Sequence, residues 1–263
     1  MKLKNVLIVY TETINKTQKS TLSLVQKTLK KYKIYYNIAI REKLNINLFK
    51  NKGLIIAVGG DGTFLIASHY IFGKTLMIGV NSDPDYKEGF FMSATKDDFR
   101  IKLKKILKSK FKIKKLHRLE AYIGKKKIPE FALNEFYVAA AIPYHTAKYY
   151  FSINGKRERQ KSSGILVSTA AGSNAWMKSA GGKILNLNSD KFQYLIREPY
   201  SGRTAKKCTL VNGILNKNQK IIIEFEISDG LILADSTGKE HRFKAKEKVV
   251  IKLSNKPIYA VSF

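Results

Sequence analysis

Gly53-Leu-Ile-Ile-Ala-Val-Gly-Gly-Asp-Gly-Thr-Phe-Leu65 is the stretch on which the reading of the fold turns. Leu54 to Val58 is short and wholly apolar, the pattern of a strand buried on both faces. Glycines then end the run abruptly, and from Phe64 to Ile71 apolar residues recur at helical spacing. Strand, glycine turn and helix make one step of a parallel sheet. Upstream, Val6–Tyr10 reads as a buried first strand. Leu22, Leu24, Val25 and Leu29 mark a helix capped near Thr17 or Ser20, and Tyr35–Ile40 returns to the sheet. Downstream, Leu76–Val80 is a further strand. Strands alternating with helices predict an α/β domain with a parallel sheet over residues 1–98.

Beyond that point the texture changes. Between Lys102 and Lys115 lysines alternate with apolar residues. Ile101, Leu103, Ile106, Leu107 and Phe111 fall near helical spacing, so the segment reads as a helix with a solvated basic face. Short strands follow, separated by turn pairs: Ala121–Ile123 before Gly124-Lys125, Tyr149–Ile153 before Asn154-Gly155, and Ile221–Ile227 before Asp229-Gly230. Asn-Gly and Asp-Gly supply the positive φ of tight hairpins. Leu231–Ala234, Glu240–Phe243 and Val249–Leu253 continue the pattern, which predicts an antiparallel β domain over residues 99–255.

The chain has 263 residues, 44% hydrophobic and 11% aromatic, which supports a packed core and argues against disorder. Forty-nine Lys+Arg against twenty Asp+Glu leave a formal charge of +29, which favours an anionic ligand. Yet the lysines travel with Ile and Asn, as a compositional bias would have them. Reading of nucleic-acid bases wants Arg at base edges and exposed aromatics among the charge, so nucleic acid is disfavoured as a partner. No run of eighteen apolar residues exists, so no membrane-spanning helix is expected, and Val6–Tyr10 is too short for a signal-peptide core. Cys208 is the single cysteine, which excludes a disulfide framework, and no metal-ligand spacing is found. The chain is expected in the cytoplasm.

Three segments carry chemistry. In the glycine turn the backbone can approach a ligand without Cβ interference, and the helix behind it turns N–H groups and a positive dipole end towards phosphate. Asp61 inside that turn would repel phosphate unless it binds Mg²⁺ or takes a proton from an attacking hydroxyl. An ordinary turn capped by Asp61 is the alternative. Asn134-Glu135 interrupts an apolar run, and a buried polar pair is costly unless hydrogen-bonded. Ribose hydroxyls or a structural network would each satisfy it. The third segment runs from Lys161-Ser-Ser-Gly164 through small and hydroxyl residues around Gly172 to Trp176, the only tryptophan, and on to Ser179-Ala-Gly-Gly182. The Trp176 ring is suited to stack on a base.

In order and spacing, Gly59–Thr63, Asn134-Glu135 and Thr169 to Trp176 resemble the NAD kinase family, which phosphorylates the 2′-hydroxyl of the adenosine ribose of NAD. Gly-Gly-Asp-Gly-Thr alone is shared with lipid kinases and phosphofructokinases; the other two segments single out NAD kinases. Ser162-Ser163-Gly164 stands where the common form has Gly-Asp-Gly. Together with Ala175-Trp176, Gly79-Val-Asn-Ser-Asp-Pro84 and Arg197-Glu198-Pro199, it looks more like the divergent branch that includes the mitochondrial enzymes of animals.

The resemblance implies an α/β N-terminal domain and a C-terminal antiparallel β-sandwich-like domain, with residues 256–263 returning to the first as a strand. It implies a kinase using ATP and Mg²⁺ or another divalent cation on NAD, small-molecule nucleotides as partners, and a homodimer or homotetramer. Carried over by position, it makes Asp61 the general base and places Gly59, Gly60, Gly62 and Thr63 at the phosphates. Asn134 and Glu135 hold ribose hydroxyls, and Asn174, Ala175 and Trp176 surround the adenine. Lys161, Ser163, Thr169 and Ser179 belong to the nucleotide-binding set, and Asp235 matches an acidic position on a late strand. A non-catalytic NAD(P)-binding sensor and a lipid kinase are the alternatives. ATP against polyphosphate and NAD against NADH stay open.

Overall fold

Runs that are apolar without alternation make the centre of a parallel sheet, because helices cover both of its faces. The computed structural model describes residues 3, 5–12, 15–142, 144–200, 202, 208–237 and 239–263. It divides into two units, residues 1–115 with 258–263, and residues 116–257.

The first unit holds β1 (Val6–Tyr10), α1 (Lys16–Lys31), β2 (Tyr36–Ile40), β3 (Leu54–Gly59), α2 (Asp61–Ser68), β4 (Leu76–Asn81), β5 (Met92–Thr95), α3 (Phe99–Leu107) and β6 (Lys112–Leu116). The sheet order is β2-β1-β3-β4, then the chain's last strand Ile258–Ser262, then β6, with β5 also pairing β4. The pairs β1–β2, β1–β3, β3–β4 and β4–β5 are all parallel. Every residue of β3 is buried. Val6, Ile8, Ile56, Val58, Ile78 and Val80 pack with Val25 and Leu29 of α1 and Phe99, Leu103 and Ile106 of α3. Strand order reverses between β1 and β3, and in open α/β sheets ligands sit outside the carboxyl ends of strands at such a reversal. The glycine turn leaves β3 at that end.

Three local expectations need correction here. The cap of α1 is Asn15, whose side chain accepts from Gln18 N at 2.9 Å, rather than Thr17 or Ser20. The turn helix starts at Asp61, not Phe64, because Thr63 N and Phe64 N both already donate to Gly60 O. The Lys-rich segment is a helix only to Leu107 and a strand from Lys112, and Ile101 is exposed. Ser109 takes φ 55°, while Lys110 N donates to Lys105 O at 2.8 Å, a left-handed C-terminal cap that ends the helix without glycine.

In the second unit follow β7 (Leu119–Ile123), β8 (Lys126–Lys127), β9 (Glu135–Ala140), β10 (Ala147–Ile153), β11 (Lys156–Ser162), β12 (Gly164–Thr169), α4 (Trp176–Ser179), β13 (Phe192–Arg197), β14 (Asn212–Leu215), β15 (Lys220–Phe225), β16 (Gly230–Ala234), β17 (Glu240–Phe243) and β18 (Lys248–Leu253). They form two six-stranded sheets, β11-β10-β15-β18-β7-β8 and β14-β13-β12-β9-β16-β17. Ala147, Tyr149, Phe151 and Ile153 alternate inward from β10 and share a core with Val138, Val167, Phe192 and Ile232 of the other sheet. Asn154 and Gly155 (φ 50° and 79°) make the expected hairpin between β10 and β11. Asp229-Gly230 does not make one: β15 and β16 lie in different sheets. A Cβ on Gly230 would meet the Phe243 ring at 2.1 Å, so the glycine there serves close packing. The closing strand β19 (Ile258–Ser262) pairs in parallel with β4 through Tyr259 and Ala260. Among the described residues no helix is long and apolar enough to cross a membrane.

Candidate functional site

In the first unit the polar groups gather at the carboxyl ends of β2, β3 and β4. Asp61 opens α2, where a carboxylate suits the positive end of the helix dipole. Its Oδ1 accepts from Phe91 N at 2.8 Å and its Oδ2 from Phe90 N at 3.0 Å, so the carboxylate is held in a fixed orientation. A Cβ on Gly59 would meet Thr63 Oγ1 at 2.3 Å, and buried Thr63 thus closes the turn from within. A Cβ on Gly60 would reach the aliphatic chain of Lys87 at 3.0 Å, and one on Gly62 would reach the Arg41 guanidinium at 3.4 Å. Two cations therefore flank the turn. Burial is the first cause that pulls the Lys87 ammonium below its ordinary range; Asp83 opposes the shift and Arg41 adds to it. Asn81 fixes the loop after β4, donating to Lys87 O at 3.0 Å and accepting from Asp83 N at 3.0 Å. Asn15 of the α1 cap donates to Asp83 Oδ2 at 2.9 Å.

The second unit builds its site on one buried carboxylate. Asp235 Oδ2 accepts from Leu133 N at 2.8 Å, and Oδ1 accepts from Asn134 N at 2.6 Å and Glu135 N at 3.1 Å. Asp235 itself sits at φ 52°, and its own N–H donates to Glu135 O at 2.9 Å. From below, Thr169 donates through Oγ1 to Leu133 O at 2.6 Å and through its N–H to Asn134 O at 2.9 Å. Gly172 lies on the Asn134 backbone, where a Cβ would meet Asn134 O at 2.0 Å.

All this serves backbone groups, and it leaves two side-chain atoms over. Asn134 Oδ1 and Glu135 Oε2 are buried and have no hydrogen-bond partner among the described residues. Such atoms are expensive to leave unsatisfied. Burial, aided by the charge of Asp235, raises the Glu135 carboxyl to about 8. Near neutrality it is therefore protonated, able both to donate and to accept, while Asn134 Oδ1 accepts. A ligand with adjacent hydroxyls complements that set.

Beside it, Trp176 tilts against Tyr137 with ring centroids 4.9 Å apart, and the Arg197 guanidinium lies 5.2 Å from the Trp176 centroid. Tyr137 donates to Ser163 O at 2.8 Å, and Ser163 N donates to Arg197 O at 3.1 Å. Gly164, at φ 143°, makes room for the Tyr137 ring, which a Cβ would meet at 2.6 Å. Asn174 ends the 3₁₀ turn Gly172–Asn174, Ala175 caps it before half-buried Trp176, and Ser179 is exposed one turn later. Trp176, Ser179, Arg197, Pro199, Val211 and Asn212 line part of a groove of about 460 Å³. Lys161 places its ammonium 5.4 Å over the Tyr200 ring.

The expected residues thus fall into two groups, each inside its own unit: Gly59 to Thr63 in the first, and Asn134, Glu135, Lys161, Ser163, Thr169, Asn174, Ala175, Trp176, Ser179 and Asp235 in the second. Sequence reading missed Arg41, Lys87 and Tyr137, and it named Arg197 only as part of a family motif, not as a neighbour of Trp176. Arg41 directly follows β2, so its place after a parallel strand was the available signal.

Comparisons with known proteins bear on what such groups do. No protein-family model matches the chain. Over 267 residues it is 30% identical to the probable NADH kinase of Oryza sativa subsp. japonica, covering 94% of this chain and 81% of that protein. The structure superposes on an NAD kinase from Archaeoglobus fulgidus in complex with ATP at a TM-score of 0.78 and 22% identity, over 98% and 93% of the two chains. It superposes on yeast NADH kinase complexed with NADH at 0.83 and 15% identity, over 99% and 84%.

Two outcomes follow from the geometry of the second unit. Gly172→Ala forces the Asn134 backbone to move and is expected to cost about 1–3 kcal/mol in chemical denaturation; an unchanged midpoint would show that the contact can relax. Glu135 binds its proton up to about pH 8 in the folded chain against 4.5 ordinarily, so stability falls as pH rises through that window. Glu135→Gln lacks this titration. Its melting temperature relative to the unsubstituted protein is expected to rise from about pH 5 to about pH 9, whereas a pH-independent difference would contradict burial as the cause.

Proposed function

This chain belongs to the NAD kinase family, and we propose that it transfers the γ-phosphoryl of ATP to the 2′-hydroxyl of the adenosine ribose of NAD, with the residues described above in the following roles. The observation that carries the assignment is the pair of orphaned buried atoms, Asn134 Oδ1 and Glu135 Oε2. They ask for a diol, and the ribose offers one. With the hydroxyls held, the attacking oxygen is oriented and its entropy cost is met on binding.

The proton of that hydroxyl needs an acceptor. Asp61 is the carboxylate for it, since the two backbone N–H groups hold it in place and each oxygen keeps a lone pair beyond the one it commits. Charge on the transferring phosphoryl is met by Arg41 and Lys87 and by the dipole end of α2. A divalent cation fits this donor set: Mg²⁺ is ordinarily held by phosphates, water and one or two carboxylates, and Asp61 is the carboxylate at the turn. When bound it supplies charge neutralisation on the phosphates. Asp235 acts on the ribose residues through their backbone, and Thr169 does the same from the opposite side. Trp176, beside Tyr137 and Arg197, offers an aromatic face to a base; Asn174 and Ala175 adjoin that face, while Lys161, Ser163 and Ser179 contact other parts of the dinucleotide. Self-association into a homodimer or homotetramer belongs to the same proposal, and light scattering on the purified protein reads it.

Formation of NADP from NAD, ATP and Mg²⁺ tests the function. Asp61→Asn is expected to lower turnover at least about 10²-fold, the usual yield of positioned proton transfer, while NAD still binds. Turnover near that of the unsubstituted protein would remove the base assignment. Trp176→Ala is expected to weaken NAD binding by about 1–3 kcal/mol in calorimetry, the worth of one stacked base, and an unchanged affinity would make the ring a packing element.

A further inference from the structure

One buried charge takes no part in the chemistry above. Arg118 lies between β6 and β7 and is the largest fully buried side chain among the described residues. Its Nε donates to Lys256 O at 2.7 Å, and its guanidinium stands 4.6 Å from the Phe131 ring centroid. Burial pulls the guanidinium down to about 9, and the charge that opposes this shift is that of Asp235. Its backbone is bound into the same corner: Ser254 N donates to Arg118 O at 2.7 Å, and Leu119 exchanges hydrogen bonds with Ala132, next to Leu133.

A buried charge is a poor source of stability, and apolar side chains of equal volume often serve a core better. A cation kept here has another use. Asp235 is also buried, it collects three backbone N–H groups, and a second acid, Glu135, lies close enough to feel its charge. With the Glu135 carboxyl neutral, Asp235 is the buried carboxylate that calls for a countercharge. We infer that Arg118 is a positioning residue for the dinucleotide: it supplies the countercharge to Asp235 and, through that carboxylate, fixes the Leu133–Glu135 backbone so that Asn134 Oδ1 and Glu135 Oε2 face the ribose hydroxyls. This rests on assigning Asn134 and Glu135 to the ribose.

The test compares Arg118→Gln, Arg118→Lys, Asp235→Asn and the Arg118→Gln/Asp235→Asn double variant. NAD binding is read from the fluorescence of Trp176, the only tryptophan, and KM is measured for each substrate. Arg118→Gln is expected to raise Kd and KM for NAD about tenfold or more, a 1.4 kcal/mol effect per decade, with KM for ATP changed less than about twofold. Arg118→Lys keeps the charge and restores NAD affinity. The double variant loses no more than the worse single one, because both remove the same clamp. Additive losses, equal rises in both KM values, or unchanged NAD affinity in Arg118→Gln would overturn the inference. Where the neutral variant does not fold, Arg118→Lys decides: amide exchange at residues 133–135 as slow as in the unsubstituted protein is expected, and faster exchange with lost NAD affinity contradicts the role. Asn134→Ala separates the two levels. If it binds NAD normally, the ribose assignment itself falls; if it loses affinity while Arg118→Gln does not, only the role of Arg118 falls.

Discussion

Three successive N–H groups turned onto one buried carboxylate are the constraint from which the second unit's site follows. Backbone amides in a sheet normally pair with the neighbouring strand. At Leu133, Asn134 and Glu135 they are taken by Asp235 instead, while the carbonyls of Leu133 and Asn134 go to Thr169. The backbone is thereby satisfied from two sides at the start of β9. With no backbone need left nearby, the acceptor atoms of the Asn134 and Glu135 side chains have no partner among the described residues, and they can accept from a ligand's hydroxyls. Gly172 belongs to the same construction, since only a residue without Cβ lets the 3₁₀ turn lie on Asn134.

The first unit solves a different problem. A phosphate-binding turn needs close backbone and positive potential, yet a transfer reaction also needs a base beside the phosphate. On the reading proposed above Asp61 takes that place, its charge answered locally by the Phe90 and Phe91 amides and the α2 dipole, with Arg41 and Lys87 alongside. Arg41 directly follows β2, and Lys87 lies in the loop between β4 and β5, so two separate connections bring cations to one turn.

Periodicity showed the parallel sheet, the glycine turn and most hairpins in the sequence because burial and turn chemistry there act over a few residues. It failed where the deciding contact is distant or the cap is unusual. Ser109 ends α3 in a left-handed conformation without the glycine that would have announced it. Asp229-Gly230 carries a hairpin signal, but Gly230 is there for Phe243, and β15 and β16 part into different sheets. At the site, Asn134-Glu135 stood out as polar residues in an apolar run. Nothing local tied them to Asp235, about a hundred positions later, or to Arg118, whose burial only the fold reveals. Arg197 was visible in the sequence as a resemblance; its stacking on Trp176 was not.

Calorimetry with NAD and its analogue lacking the 2′-hydroxyl of the adenosine ribose tests most directly the proposal that this hydroxyl binds at Asn134 and Glu135. The deoxy analogue leaves a buried partner unsatisfied and is predicted to bind about 1–3 kcal/mol more weakly, with the difference abolished in Asn134→Ala/Glu135→Ala. Equal affinity for the two ligands in the unsubstituted protein would contradict the account.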